Sequence, residues 1–157
     1  MVSTRTASTR SHALERMLYD VRHVRDIDLI MVSGDIADDG SVEGCAAARE
    51  RIGTFAAQRG IPHVYCTGNH DDRQAFAAVL GSGHLDPDGA DVGRLVSETG
   101  GERAAVSEVA GLRVITLDSL VPGSVQGLVS DVQLEWLGAV LTQPAPAGSI
   151  VVSTTHR

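Results

Sequence analysis

Two apolar runs of strand length, each stopped by a glycine and a polar block, constrain this chain more than any other feature. Ile27-Asp28-Leu29-Ile30-Met31-Val32 leads into Ser33-Gly34-Asp35-Ile36-Ala37-Asp38-Asp39-Gly40, and the run from Ile61 to Thr67 leads into Gly68-Asn69-His70-Asp71. Short runs without polar alternation suit strands buried on both faces, as in a parallel sheet. The flanking segments carry helical spacing instead. Leu14, Met17, Leu18, Val21 and Val24 predict an amphipathic helix over 11–25 with Ser11 as its N-cap. Ala46, Ala47, Ala48, Ile52, Phe55 and Ala56 predict a second after Ser41, closed by Gly60. A third begins at Asp71 or Asp72 and carries Phe76, Val79 and Leu80.

Residues 81–101 are rich in Gly and Asp without a period and read as loop. Residues 104–109 and 112–117 flank Ala110-Gly111 and predict a hairpin. Ser130-Asp131-Val132-Gln133 has the form of a capping box, ahead of Leu134, Leu137, Val140 and Leu141 on a helical face. Pro144 and Pro146 end that helix, and 149–155 predict a last buried strand. Alternation of this kind predicts a single α/β domain over 1–157 with a largely parallel sheet and one hairpin. In such sheets reactive groups gather just past the carboxyl ends of the strands, where both polar blocks fall.

Composition removes several alternatives. Hydrophobic residues at 43% and charged residues at 21% allow a packed core. Aromatics at 3% and a net charge of −7 argue against a nucleic-acid partner, which needs stacking platforms and basic surface. They leave room for a small phosphorylated substrate held by metal ions, because the metals bring their own positive charge. Cys45 and Cys66 form neither a disulfide framework nor a zinc signature and read as small buried hydrophobes. No apolar leader follows the Ser-, Thr- and Arg-rich start, and no run is long enough for a bilayer. The expectation is a cytoplasmic protein without a membrane partner.

The chemistry lies in the two blocks. A carboxylate at a strand end can bridge two divalent ions, while glycines let the backbone turn tightly around it. Asn69 offers a neutral carbonyl oxygen, His70 a proton donor, and Asp71 an acidic group that holds the loop. Either block alone reads as an acidic turn and helix cap. Both together, each after a buried strand, read as a metal site.

These two blocks resemble the second and third signature blocks of calcineurin-like metallophosphoesterases. Thr116-Leu117-Asp118-Ser119, Gly127 and Gln133-Leu134-Glu135-Trp136-Leu137 are similar to the class III cyclic-nucleotide phosphodiesterase and glycerophosphodiesterase branch. Val151-Val152-Ser153-Thr154-Thr155-His156 resembles the strand that delivers the next metal-binding histidine. The resemblance implies part of a four-layer αββα sandwich and two divalent ions, Fe, Mn or Zn, which suit mixed Asp, Asn and His donors. It implies that Asp35 bridges the metals and that Asn69 and His156 bind the second. His70 would contact the phosphate and protonate the departing alkoxide, with Asp38 orienting its imidazole. The implied activity is hydrolysis of phosphodiesters, such as 3',5'-cyclic nucleotides, by a metal-activated hydroxide.

The sequence also departs from the family pattern. It contains no Asp-x-His, the family's opening block, and no closing Gly-His-x-His. Gly83-His84-Leu85-Asp86 is the nearest match and reads as an exposed loop. The expectation is therefore a truncated domain of impaired activity that self-associates. The alternative is a non-catalytic remnant of the same fold that binds a metal or a partner. His12 and His23 read as solvated, His63 as packed, Trp136 as core, and Asp118 as a support for the loop after it.

Overall fold

The computed structural model describes residues 4–96, 101–146 and 150–154. It begins with helix α1 (Thr4–Val21), strand β1 (Ile30–Ser33), helix α2 (Val42–Ala57) and strand β2 (His63–Cys66). Helix α3 (Arg73–Leu80) and the short strands β3 (His84–Leu85) and β4 (Arg94–Leu95) follow. Strands β5 (Ala105–Val109) and β6 (Leu112–Leu117), helix α4 (Asp131–Leu141) and strand β7 (Ile150–Thr154) complete the order.

Helix α1 differs from its predicted bounds at both ends. Ser11 lies inside it rather than capping it, because no Gly or Pro interrupts residues 4–21. It stops four residues before Arg25: Val24 N–H turns back to Val21 O, and Asp26 then takes φ +57°. Helix α2 behaves as its sequence predicts. The Ser41 side chain accepts from Gly44 N–H at its start. At its end Ile61 N–H returns to Ala56 O while Gly60 takes φ +66°, a left-handed stop. Asp72 caps α3 by accepting from Gln74 and Ala75 N–H. Strand β2 starts only at His63, since Pro62 has no N–H for a ladder and instead offers its carbonyl to Ile30 N–H.

The prediction of a largely parallel sheet is corrected. There are two sheets, ordered β1-β2-β3 and β4-β5-β6-β7. Only β1–β2 and β6–β7 are parallel; the pairs β2–β3, β4–β5 and β5–β6 are antiparallel. The helices α2 and α4 supply the two crossovers that parallel pairing needs. Elsewhere tight turns reverse the chain. Ala110 and Gly111, at φ +51° and +76°, form the two-residue loop of the β5–β6 hairpin. The supposed loop over 81–101 contributes β3 and β4, two-residue strands too short to show a period.

The strands' alternation separates two cores and the seam between them. Tyr65 on β2 packs with Ile52 of α2, with Phe76 and Leu80 of α3, and with Leu85. Ile30, Val32 and Leu14 flank that cluster. Val106, Ile115 and Leu117 pack under Val140 of α4, with Trp136 and Leu137 beside them. Val64, Val109 and Val114 meet between the sheets, with Met31 and Leu112 alongside. The layers thus run helices, sheet, sheet, helix.

His84 contradicts the exposed-loop reading of its segment. It is fully buried between the sheets, with Nδ1 2.6 Å from Ser107 Oγ and Nε2 2.9 Å from Thr116 Oγ1. Burial lowers its pKa to about 4, so the ring is neutral there, against a small opposing pull from Asp91. His63 is also buried, with Nδ1 2.8 Å from the Tyr65 hydroxyl. His12 and His23 are exposed.

Candidate functional site

Parallel pairing of β1 with β2, Ser33 opposite Cys66, sends both polar blocks off the same end of the first sheet. Gly34 and Asp35 leave β1 at φ +86° and +51°, a reversal that turns Asp35 toward the neighbouring loop. Gly68 meets it there. A Cβ on Gly68 would lie 2.1 Å from Asp35 N and 2.2 Å from Asp35 Oδ1, so no side chain fits at that position. His70 N–H donates to Asp35 Oδ1 at 3.2 Å. The His70 ring lies over the first block, with Nδ1 3.0 Å from Asp38 O and 3.5 Å from Asp38 Oδ1. A carbonyl oxygen only accepts, so Nδ1 carries the proton in that contact. The ring is 47% exposed, and Asn69, between these contacts, is half-buried.

Asp71 fastens the two blocks together. Buried at their junction, it accepts from Gly68 N–H (2.7 Å) in its own block. It also accepts from Ala37 N–H (2.9 Å) and Ile36 N–H (3.2 Å) in the other. Burial raises its pKa, the three N–H groups oppose that, and the Asp35 charge adds to the rise. Its sequence position suggests a local loop support; its reach across to the first block has no sequence signal. The nearby Cys45 thiol is fully buried and pushed up to about 11 by that burial and then by Asp71, Asp39 and Asp72. It packs as a small hydrophobe, as its setting predicts.

Asp118 holds more than the loop after it. Fully buried at the end of β6, it accepts from Leu120 N–H at 3.0 Å. It also accepts from Thr67 Oγ1 at 2.8 Å, Arg73 Nε at 2.7 Å and Arg103 N–H at 2.7 Å. Burial pushes its pKa up, but the Arg73 hydrogen bond, Arg103 N–H, the Arg73 charge and Leu120 N–H outweigh that and hold it below the ordinary value. Gln133 does not close the predicted capping box. Ser130 Oγ accepts from Gln133 N–H at 3.3 Å, but the Gln133 side chain turns inward. There Oε1 accepts from Asp118 N–H at 2.8 Å and Nε2 donates to Asp118 O at 2.7 Å.

Asp35 and Asn69 offer oxygen donors on adjoining loops, the chemistry a borderline divalent ion accepts. Among the described residues, however, no group of three or more His, Cys, Asp or Glu is placed to hold a metal ion. His156 lies outside the described residues; the register Leu117 opposite Thr154 brings the end of β7 beside the end of β6.

The calcineurin-like phosphoesterase family profile matches residues 9–154. This chain belongs to that family. Homology to class III cyclic-nucleotide phosphodiesterases and to a glycerophosphodiesterase is distant. A Rhodococcus erythropolis protein named "Probable cyclic nucleotide phosphodiesterase" is 37% identical over 124 residues, covering 79% of this chain and 37% of that protein. The cAMP/cGMP dual specificity phosphodiesterase of Mycobacterium tuberculosis is 37% identical over 126 residues, 79% of this chain and 35% of that enzyme. A glycerophosphodiester phosphodiesterase of Enterobacter lignolyticus is 31% identical over 115 residues, 73% of this chain and 37% of that enzyme. The chain thus spans little more than a third of the length of these relatives. No helix among its described residues is long and apolar enough to cross a membrane.

Proposed function

We propose that this phosphoesterase chain carries the phosphate-facing half of a metal-dependent phosphodiesterase site, with 3',5'-cyclic nucleotides as the substrate class. The observation that carries the reading is the junction of the two blocks, where His70 N–H reaches Asp35 Oδ1 and the His70 ring is held on Asp38. The names of the relatives supply the substrate class. In sites of this kind a pair of divalent ions provides activated hydroxide and steadies the phosphoryl oxygens.

The chain's own residues take narrower parts in that reading. Asp35 and Asn69 present oxygens to metal, with His156 as a further donor. With Nδ1 engaged by Asp38, the doubly protonated His70 ring gives a proton from Nε2 to the departing alkoxide, as a positioned general acid does. Asp38 fixes the ring plane for that transfer.

The test is hydrolysis of bis-p-nitrophenyl phosphate and cAMP with Mn²⁺. The 157-residue chain, which contains no Asp-x-His, should turn over neither substrate measurably. The same chain joined to a strand bearing Asp-x-His and a C-terminal half bearing Gly-His-x-His should hydrolyse both. His70→Ala in the joined protein should cost about 10²–10⁴-fold in kcat. Turnover by the 157-residue chain that Asn69→Ala abolishes would show that other residues replace the missing blocks and would contradict the expected dependence on them. An inert joined protein that still binds Mn²⁺ would instead favour a non-catalytic metal-binding module.

A further inference from the structure

We propose that Asp118 is a positioning residue for the loop that presents Asn69 and His70, acting from the second sheet on a site built on the first. This rests on the reading of that loop as the phosphate-facing site. The loop has two ends. Thr67, the residue before Gly68, donates its hydroxyl to Asp118 Oδ1 at 2.8 Å. Arg73, the residue after Asp72, donates from Nε to Asp118 Oδ2 at 2.7 Å and from Nη2 to Asp118 Oδ1 at 3.2 Å. One carboxylate therefore grips the segment on both sides of the five residues that carry the polar chemistry.

The grip is itself fixed. Gln133, fully buried in the first turn of α4, brackets the Asp118 backbone by one donated and one accepted hydrogen bond. Leu120 and Arg103 N–H donate to the same carboxylate. Arg73 Nη2 continues to Leu120 O, tying the start of α3 to the loop after β6. Asp71 fastens the first block to the second, and Asp118 fastens the second block to the other sheet. Neither end of the loop can shift without breaking a charge-assisted bond to a buried carboxylate, the strongest class available. Asp118 acts on Asn69 and His70 through Thr67 and Arg73.

The experiment compares the 157-residue chain with Asp118→Asn, Thr67→Val and Arg73→Lys, each well below its unfolding midpoint. Amide and His-ring NMR resonances are the first readout, and Mn²⁺ affinity is the second. In Asp118→Asn the amides of 68–72 and the His70 ring signals should move, while those of the α2 end and the β5–β6 hairpin stay. Thr67→Val should move the same set by less. Arg73→Lys, which keeps the charge but loses the two-nitrogen grip on the carboxylate, should move the same set as well. Mn²⁺ affinity should fall about tenfold in Asp118→Asn, the usual cost of losing an outer support of metal donors. Should Asp118→Asn fail to fold, the other two variants carry the same comparison. Resonances of 68–72 that stay at parent positions, with changes confined to 119–130, would overturn the proposal. Parent protein that binds no Mn²⁺ while the resonances move as stated would sink the metal-site reading and leave the positioning role standing.

Discussion

At the scale of single residues, the firmest consequence concerns Asp71. Replacing it by Ala leaves the N–H groups of Ile36, Ala37 and Gly68 without their acceptor at a buried junction. Orphaned buried donors cost about 1–3 kcal/mol each, partly recovered where water enters, so a loss of about 3 kcal/mol is expected in urea unfolding. A loss under about 1 kcal/mol would mean that the two blocks hold together without it. His84 makes the fold pH-sensitive. Its folded pKa of about 4 lies below the ordinary 6.5, so the unfolded chain takes the proton first. The stability from its neutral form is complete above about pH 6.5 and is lost as pH falls toward 4, in all about 3 kcal/mol. His63, also lowered by burial, adds in the same direction; Asp71, whose pKa is raised, works against both. Thermal melts across this range should fall with acid in the parent and flatten in His84→Gln. Equal slopes would remove His84 as the cause.

At the scale of elements, patterns confined to a few neighbouring residues were legible and pairings across the chain were not. Ser41, Asp72 and Gly60 announce helix ends because capping uses residues within a turn of the end. Ala110-Gly111 announces the hairpin for the same reason. The two polar blocks could be placed beside each other because each follows a strand-like run. The sheet split could not be read, because two-residue strands such as β3 and β4 leave no period. Nor could the fate of Gln133. Its spacing from Ser130 fits a capping box, but a fully buried backbone pair at Asp118 outcompetes a half-buried cap, since buried polar groups must be satisfied. Gln133→Leu should therefore cost about 2–4 kcal/mol, against about 1 kcal/mol for loss of an ordinary cap. Urea melts of Gln133→Leu and Ser130→Ala distinguish the two; equal small losses would return Gln133 to a capping role.

At the scale of the whole molecule, two β-α-β units, β1-α2-β2 and β6-α4-β7, stand face to face with their strand ends joined where Thr67 meets Asp118. This arrangement, and not any one motif, brings the loops of Asp35, Asn69 and His70 together, the corner on which the proposed function rests. In the proposed reading the two glycine-flanked blocks form one metal-binding corner on Asp35. Calorimetric titration of Mn²⁺ into the parent chain and into Asp35→Asn tests it most directly. Binding of micromolar or weaker affinity is expected in the parent, because few protein donors are available, with no measurable heat in Asp35→Asn at the same concentrations. Equal binding by the two proteins would contradict it.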